Sequence, residues 1–135
     1  MAIDLTPLSN AIAALTRALD RHGREPADEE VRDSVIQRFE FTYDLSHKML
    51  RRVLAETMAD ADDVSLMTFP QLIRTGWELG LLRGSWPTWE KIRELRNITS
   101  HTYDRDKAIS VASQVPDFLE EARELERRLR DRLAT

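Results

Sequence analysis

Hydrophobic residues recur at intervals of three and four along most of the chain, which is the period of an α-helix. The first helical segment is marked by four apolar positions, Leu8, Ile12, Leu15 and Leu19. Thr6 is the expected N-cap, and Pro7 occupies the first helical position, where its missing N–H has no cost. Gly23 is the expected C-terminal stop. The pattern therefore predicts a helix that ends at the first glycine of the chain.

A second, longer helix is predicted from about Glu29 to about Met58. Its apolar residues form one stripe (Val31, Val35, Phe39, Met49, Val53) that others widen (Ile36, Phe41, Tyr43, Leu45, Leu50). So wide an apolar face on a helix of this length indicates contact with more than one neighbour. The acidic run from Asp60 to Asp63 follows this helix and is predicted to be a loop.

Polar residues at capping positions mark the middle of the chain. Thr68 and Gln71 have the spacing of a capping box, which predicts a short helix from Pro70 to about Leu79. Ser85 is the expected start of another helix, which runs into the polar segment 96–103.

The last helix is predicted from about Arg105 to about Leu133, with Asp104 as its N-cap. Pro116 lies inside it, and we expect the proline to kink or divide the helix because it removes one backbone hydrogen bond. The sequence contains neither an alternating strand pattern nor an internal repeat or linker. It thus predicts an all-α bundle of four main helices and a short one, in a single domain spanning residues 1–135.

Composition excludes several classes of protein. With 135 residues, of which 41% are hydrophobic, the chain is long enough to bury a core. The lack of cysteine excludes disulfides, a thiolate nucleophile and cysteine-based metal centres. No run approaches the ~18 apolar residues of a membrane span, and the N-terminus lacks a signal-peptide pattern. We therefore expect a cytoplasmic protein without membrane association.

The net charge of −4 argues against a general coat of nucleic acid, because such binding places cations on phosphates. The charge is nevertheless uneven. Segments 25–33 and 56–63 each carry −4, so the remainder of the chain sums to +4. Segment 83–107 holds six basic residues against four acidic ones. A local phosphate-binding cleft is therefore compatible with an acidic protein.

The segment from Arg96 to Tyr103 is rich in hydrogen-bonding side chains that are not acidic. Arginine suits phosphate oxygens, and histidine exchanges protons near neutral pH, so together they suit metal-free RNA cleavage. On a continuous helix Arg96 and His101 would point about 140° apart, since five residues turn by about 500°. Either the helix breaks near Ser100 or a second chain completes the site.

Structural roles are the alternative for each of these residues. Arg96 could pair with a carboxylate and His101 with a carbonyl at a polar helix junction. His22 is expected to cap a helix at the surface, and His47 to be a core-edge or site-lining residue. Three tryptophans could stack bases but are expected to fill the core: Trp77, Trp86 and Trp89. Metal-ligand spacings and glycine-rich phosphate loops are missing from the sequence, so we expect no metal and no cofactor.

Segment 96–103 resembles the Arg-x4-His-x-Tyr signature of HEPN-domain proteins, with Arg96, His101 and Tyr103 at the signature positions. These proteins include the HEPN toxins encoded with MNT nucleotidyltransferase antitoxins. Together with segment 32–45, it is similar to one branch, the nucleotidyltransferase substrate-binding protein family. The resemblance extends from about residue 4 to about residue 125.

The resemblance implies an antiparallel four-helix bundle that forms a homodimer, with the two motifs facing a shared cleft. It implies that Arg96 and His101 are catalytic in a metal-independent endoribonuclease and that Asn97 shapes the site. It also implies that a cognate MNT nucleotidyltransferase transfers AMP to Tyr103 and so keeps RNA out of the cleft. His47 departs from the tryptophan that relatives carry there.

Two other functions stay open at this point. The chain could be a non-catalytic substrate-binding subunit of a two-component nucleotidyltransferase, as the family's name indicates. It could also be a helical scaffold in which the motif is structural.

Overall fold

The computed structural model describes residues 3–135, and the regular structure of this part is helical. The long helices are α1 (Thr6–Arg24), α2 (Glu29–Thr57), α5 (Trp86–Ile98) and α6 (Arg105–Ala134). The short ones are α3 (Ala61–Ser65), α4 (Phe69–Glu78) and a 3₁₀ turn (Thr99–His101). The predicted all-α class, with four main helices, is confirmed.

Contacts between α1 and α6 show that these helices run in opposite directions. Arg123 donates to Oγ1 of Thr16 at 3.1 Å, and Arg130 donates to Oγ of Ser9 at 3.2 Å. As the chain proceeds along α6 from Arg123 to Arg130, its partner on α1 moves back from Thr16 to Ser9. The N-terminus of α6 therefore lies at the end of the bundle where α1 turns into α2.

The core is one cluster of buried side chains contributed by all the long helices. Phe118 of α6 lies at its centre, with the Phe39 ring of α2 at 4.9 Å and the Trp89 ring of α5 at 6.3 Å, both edge-on. Edge-to-face pairs of this kind contribute ~1 kcal/mol beyond the area they bury. The aromatic contacts fix α2, α5 and α6 relative to one another, and α5 carries the start of the polar segment.

Three of the predicted helix starts are confirmed. Thr68 and Gln71 form the capping box of α4, with bonds of 2.9 and 3.3 Å. Asp104 accepts from the first N–H groups of α6, and α5 begins after Ser85. The prediction for Thr6 is wrong: α1 begins at Thr6 itself, because Asp4 accepts its N–H at 2.9 Å.

Two further predictions need correction. The segment 60–63 is not a loop: Asp60 accepts from two backbone N–H groups and opens α3, whose Val64 is buried. Of the two outcomes expected at Pro116, a kink or a division, the division is wrong, because α6 is continuous from Arg105 to Ala134. Val115 and Phe118 are buried on either side of the proline, and this packing keeps both halves in one helix.

None of the helices within residues 3–135 combines the length and the apolar character that a bilayer span requires.

Candidate functional site

The helix α5 breaks where the sequence predicts it. It passes into the 3₁₀ turn Thr99–His101. The hydroxyl of Thr99 donates to the carbonyl of Arg96 at 2.6 Å, and that of Ser100 to the carbonyl of Asn97 at 2.9 Å. The Arg96 carbonyl also accepts the backbone N–H of Thr99, so the hydroxyls add to the hydrogen bonds at the end of the helix. The predicted break near Ser100 is thus confirmed.

Arg96 is held against α2 by two carboxylates. Its Nη1 lies 2.9 Å from Oε2 of Glu40, and its Nε lies 3.5 Å from Oδ1 of Asp44. Nη1 also donates to the Thr99 hydroxyl at 3.0 Å. Glu40 and Asp44 are one turn apart on α2 and so share a face. Arg96 therefore pairs with carboxylates, as the alternative structural role for this residue predicts.

Arg96 also borders an open pocket of about 390 Å³ between α2 and α5. The side chains around it are Tyr43, Asp44, Arg93, Arg96, Asn97 and Ser100. Nε of Arg96 is buried and makes no hydrogen bond within residues 3–135. The guanidinium is therefore oriented by α2 while part of its hydrogen-bonding capacity is unused. Asn97 borders the same pocket.

His101 ends the 3₁₀ turn, Tyr103 follows it, and both are exposed. Their rings meet edge-on, with centroids 6.1 Å apart. Over the described chain, no hydrogen bond or ion pair involves the His101 side chain, so the carbonyl partner expected for a structural role is missing. Tyr103 is the most exposed large hydrophobic side chain of this part, at 86%.

A second groove, of about 640 Å³, runs between Tyr103 and the first half of α2. Its acidic side chains are Glu30, Asp33 and Glu40. Glu40 thus touches both parts of the site, since it pairs with Arg96 and lines the groove of Tyr103. Within residues 3–135, no hydrogen bond joins the Arg96 side chain to that of His101, although both lie at the same helix junction.

His47 is a core-edge residue. Its ring lies edge-on to Tyr43 at 5.3 Å and to Phe69 at 5.7 Å. Burial lowers the pKa of His47, because the charged form is poorly solvated there. Burial likewise raises the pKa of Tyr43 to about 12. Of the two alternatives for His47, the structure thus supports the core edge.

The tryptophans divide between core and surface. Trp89 is buried and Trp86 is partly buried against the core, as predicted. Trp77 is 49% exposed, so its assignment to the core is wrong. It lies on α4 one turn after the buried Ile73, at the edge of the buried face. His22 lies in the last turn of α1, where a helix favours basic residues.

Glu40, Asp44 and Arg93 are part of the site but were not singled out from the sequence. The only signal was the four-residue spacing of Glu40 and Asp44, which places them on one helix face. Sequence spacing does not reveal which face of α2 meets α5.

Within residues 3–135, the structure contains no group of three or more His, Asp or Glu side chains that could hold a metal ion.

The fold and the site together define the class of protein. An antiparallel helical bundle with Arg96, His101 and Tyr103 placed around a helix break is HEPN-like. More specifically, the chain belongs to the family described as "Nucleotidyltransferase substrate binding protein like", whose model matches residues 3–131. The description of this family links it to nucleotidyltransferases.

Two relatives from Haemophilus influenzae are similar to this chain. One is named "Probable ribonuclease HepT" and is 43% identical over 97 residues, which are 72% of this chain and 66% of the relative. The chain thus spans just under two thirds of that relative's length. The other is HI0074, whose solved structure is described as the fold of a substrate binding domain of a nucleotidyltransferase. It matches with a TM-score of 0.88 and 33% identity, over 94% of this chain and 99% of that one.

Proposed function

We propose that the chain is a metal-independent endoribonuclease of the toxin type, in which Arg96 and His101 are catalytic. The observation that carries the proposal is the helix break itself. It leaves the His101 ring exposed and free of hydrogen bonds within the described chain, one short turn from an arginine oriented beside an open pocket. The relative named as a probable ribonuclease supports the same function.

In the proposed reaction the ribose 2′-oxygen attacks the adjacent phosphorus. The new 2′-O–P bond forms as the P–O5′ bond breaks, which gives a cyclic phosphate and a 5′-hydroxyl. His101 accepts the 2′-hydroxyl proton, and a protonated histidine returns a proton to O5′. Arg96 stabilises the charge that develops on the phosphate oxygens. In the homodimer that the family resemblance implies, the second His101 supplies the acid, and Asn97 shapes the pocket.

We further propose that a cognate MNT-type nucleotidyltransferase inactivates the protein by modifying Tyr103. The phenol oxygen would attack the α-phosphorus of ATP, release pyrophosphate and give its proton to a base of the partner enzyme. The high exposure of Tyr103 supports this proposal, because a transferase can reach the ring. The added phosphate carries a negative charge next to His101, where it would repel the phosphates of RNA.

A non-catalytic substrate-binding subunit is the second candidate. The ion pairs from Arg96 to Glu40 and Asp44 favour it, because they occupy the arginine with protein carboxylates instead of phosphate. The description of the HI0074 structure points the same way.

Expression of the full chain without its partner tests the first proposal. Wild type is expected to arrest growth and cleave cellular RNA, and His101→Ala to do neither. His22→Ala is the matched control, since it removes a histidine from the end of α1 and should behave as wild type. If wild type and His101→Ala both leave growth and RNA intact, and a nucleotidyltransferase still binds His101→Ala, the chain is a binding subunit.

The modification is tested by intact mass after incubation with the partner and ATP. The mass of wild type should rise in steps of one AMP, and that of Tyr103→Phe should not change. A rise in Tyr103→Phe would place the modified residue elsewhere.

A further inference from the structure

Two arginines stack on two aromatic rings along the contact between α4 and α5. The Arg93 guanidinium lies 5.3 Å from the Phe69 ring, and the Arg74 guanidinium lies 5.5 Å from the Trp86 ring. The two rings are 5.9 Å apart. We name these four residues the arginine–aromatic strip. Its Arg93 end borders the pocket of Arg96, so the strip leads away from the proposed site.

The strip differs from the other arginine clusters of the molecule. On α6, Arg123, Arg127 and Arg130 pair with glutamates of the same helix. Within residues 3–135, neither Arg74 nor Arg93 forms an ion pair or a side-chain hydrogen bond, although both are exposed. Their N–H donors therefore face solvent, while the rings beneath them hold the guanidinium planes in place.

Charge selects one direction for a polyanion that contacts Arg96. On the Tyr103 side, the groove presents the carboxylates of Glu30, Asp33 and Glu40, which repel phosphates. On the other side lie Arg93 and the rest of the strip, with one carboxylate, that of Asp44, in the shared pocket. A strand whose phosphate lies at Arg96 would thus be attracted along the strip and repelled from the groove.

We propose that the arginine–aromatic strip binds single-stranded RNA next to the cleavage site, an inference that rests on the proposed function. Proteins bind single strands by combining cations along the backbone with flat groups on which bases stack. Guanidinium planes stack bases as aromatic rings do. Arg74 and Arg93 would contact bases with their planes and phosphates with their N–H groups, and double-stranded RNA would bind weakly because its bases are already stacked.

Glu90 allows a test of whether binding to the strip depends on positive charge. It is exposed and lies on α5 four residues after Trp86 and three before Arg93, which places it on the same face. Its carboxylate should weaken the binding of phosphates to the strip. Glu90→Gln should therefore strengthen RNA binding, whereas Arg74→Gln weakens it.

The experiment measures binding of a fluorescent, single-stranded oligoribonucleotide of about 12 nucleotides. The full chain carries His101→Ala so that the probe stays intact. Arg74→Gln and Trp86→Leu should each weaken binding about tenfold, and Glu90→Gln should tighten it severalfold. Arg74→Gln should also lower the slope of log affinity against log salt by about 0.7, the share of one phosphate contact. Arg52→Gln is the matched control, since Arg52 is an exposed arginine outside the strip.

Arg74 and Glu90 are exposed, so their variants decide the question even if Trp86→Leu fails to fold. The strip proposal is overturned if Arg74→Gln binds the probe as Arg52→Gln does, or if no variant binds it. Cleavage that depends on His101 would then still support the ribonuclease. Conversely, the predicted order of affinities without any cleavage by wild type would support the strip and overturn the ribonuclease.

Discussion

Arg96 of α5 and Glu40 of α2 form an ion pair of 2.9 Å between two open grooves. Both side chains are about 30% exposed, so water screens the pair only in part. The pair orients the guanidinium, and it also competes with any phosphate that approaches it. A negative charge added to Tyr103 would lie in the groove that Glu40 lines. The pocket of Arg96 and the groove of Tyr103 therefore share one carboxylate, that of Glu40.

We expect Arg96→Ala to lower the free energy of unfolding by ~2 kcal/mol, between the values for exposed and buried ion pairs. The loss has a specific cause, because Glu40 and Asp44 would both lose the guanidinium with which they pair. Urea denaturation followed by circular dichroism measures it.

Arg24→Ala is the matched control for this change. Arg24 pairs with Asp20 across one helical turn, and both side chains are at least 70% exposed. The expected loss is below ~0.5 kcal/mol. Equal losses in the two variants would show that the Arg96 ion pairs contribute no more than surface pairs do. Any loss of function in Arg96→Ala must be read alongside this stability change.

Glu121 fixes the loop before α5 and is only 7% exposed. Its Oε1 accepts the Gly84 N–H at 2.8 Å, and Arg83 lies 3.5 Å from Oε2. Glu121→Ala leaves that N–H without its partner, and we expect it to cost ~2 kcal/mol in unfolding free energy. Glu121→Gln keeps an acceptor and should cost less than half as much.

Gly84→Ala tests the same contact from the other side. An added Cβ would lie 2.6 Å from Oε1 of Glu121, which is closer than real Cβ atoms come. The added Cβ would also lie 2.8 Å from Cγ2 of Thr88, so the variant must displace both the carboxylate and the Thr88 side chain. We expect its cost to fall when Glu121→Ala is already present, and a double-mutant cycle measures this coupling. Additive costs would show that the two residues act independently.

The helices were predictable because capping and periodicity are local properties. Asp104 caps α6 through N–H groups two and three residues away, so its role can be seen in the sequence. The break of α5 was predictable for the same reason. Thr6 shows the limit of such predictions. The carboxylate of Asp4 accepts the Thr6 N–H, and α1 begins at Thr6 instead of after it.

The site was predictable only in part, because its contacts join distant segments. The residues at 96–103 are adjacent in sequence, but Glu40 contacts Arg96 from 56 positions away. The stacking of Arg93 on Phe69 likewise depends on how α4 packs against α5. Periodicity indicates that a helix has a buried face, but it does not identify the side chain on the other helix. That pairing is a property of the packed core.

We expect His47 to make the protein less stable in mild acid. Burial lowers its pKa below the usual value of about 6.5, so below that pH the unfolded chain binds more protons than the folded one. The free energy of unfolding then falls as pH drops through the window just below 6.5. The decrease between pH 7.5 and 5.5, measured by urea denaturation, should be smaller in His47→Gln. His22→Gln is the control and should retain the full decrease; an equal decrease in His47→Gln would exclude this role of His47.

The two tyrosines of the chain should differ sharply in reactivity. Tyr103 is 86% exposed, whereas Tyr43 is 6% exposed and its pKa is raised to about 12 by burial. Nitration by tetranitromethane proceeds through the phenolate, so both burial and the raised pKa protect Tyr43. We expect one nitro group per wild-type chain, which peptide mass spectrometry places on Tyr103, and almost none in Tyr103→Phe. Rapid nitration of Tyr103 would show that a transferase can reach the ring in solution. Protection of Tyr103 in the wild-type protein would instead mean that a second copy covers it, and the proposed transfer of AMP would then require that assembly to open first.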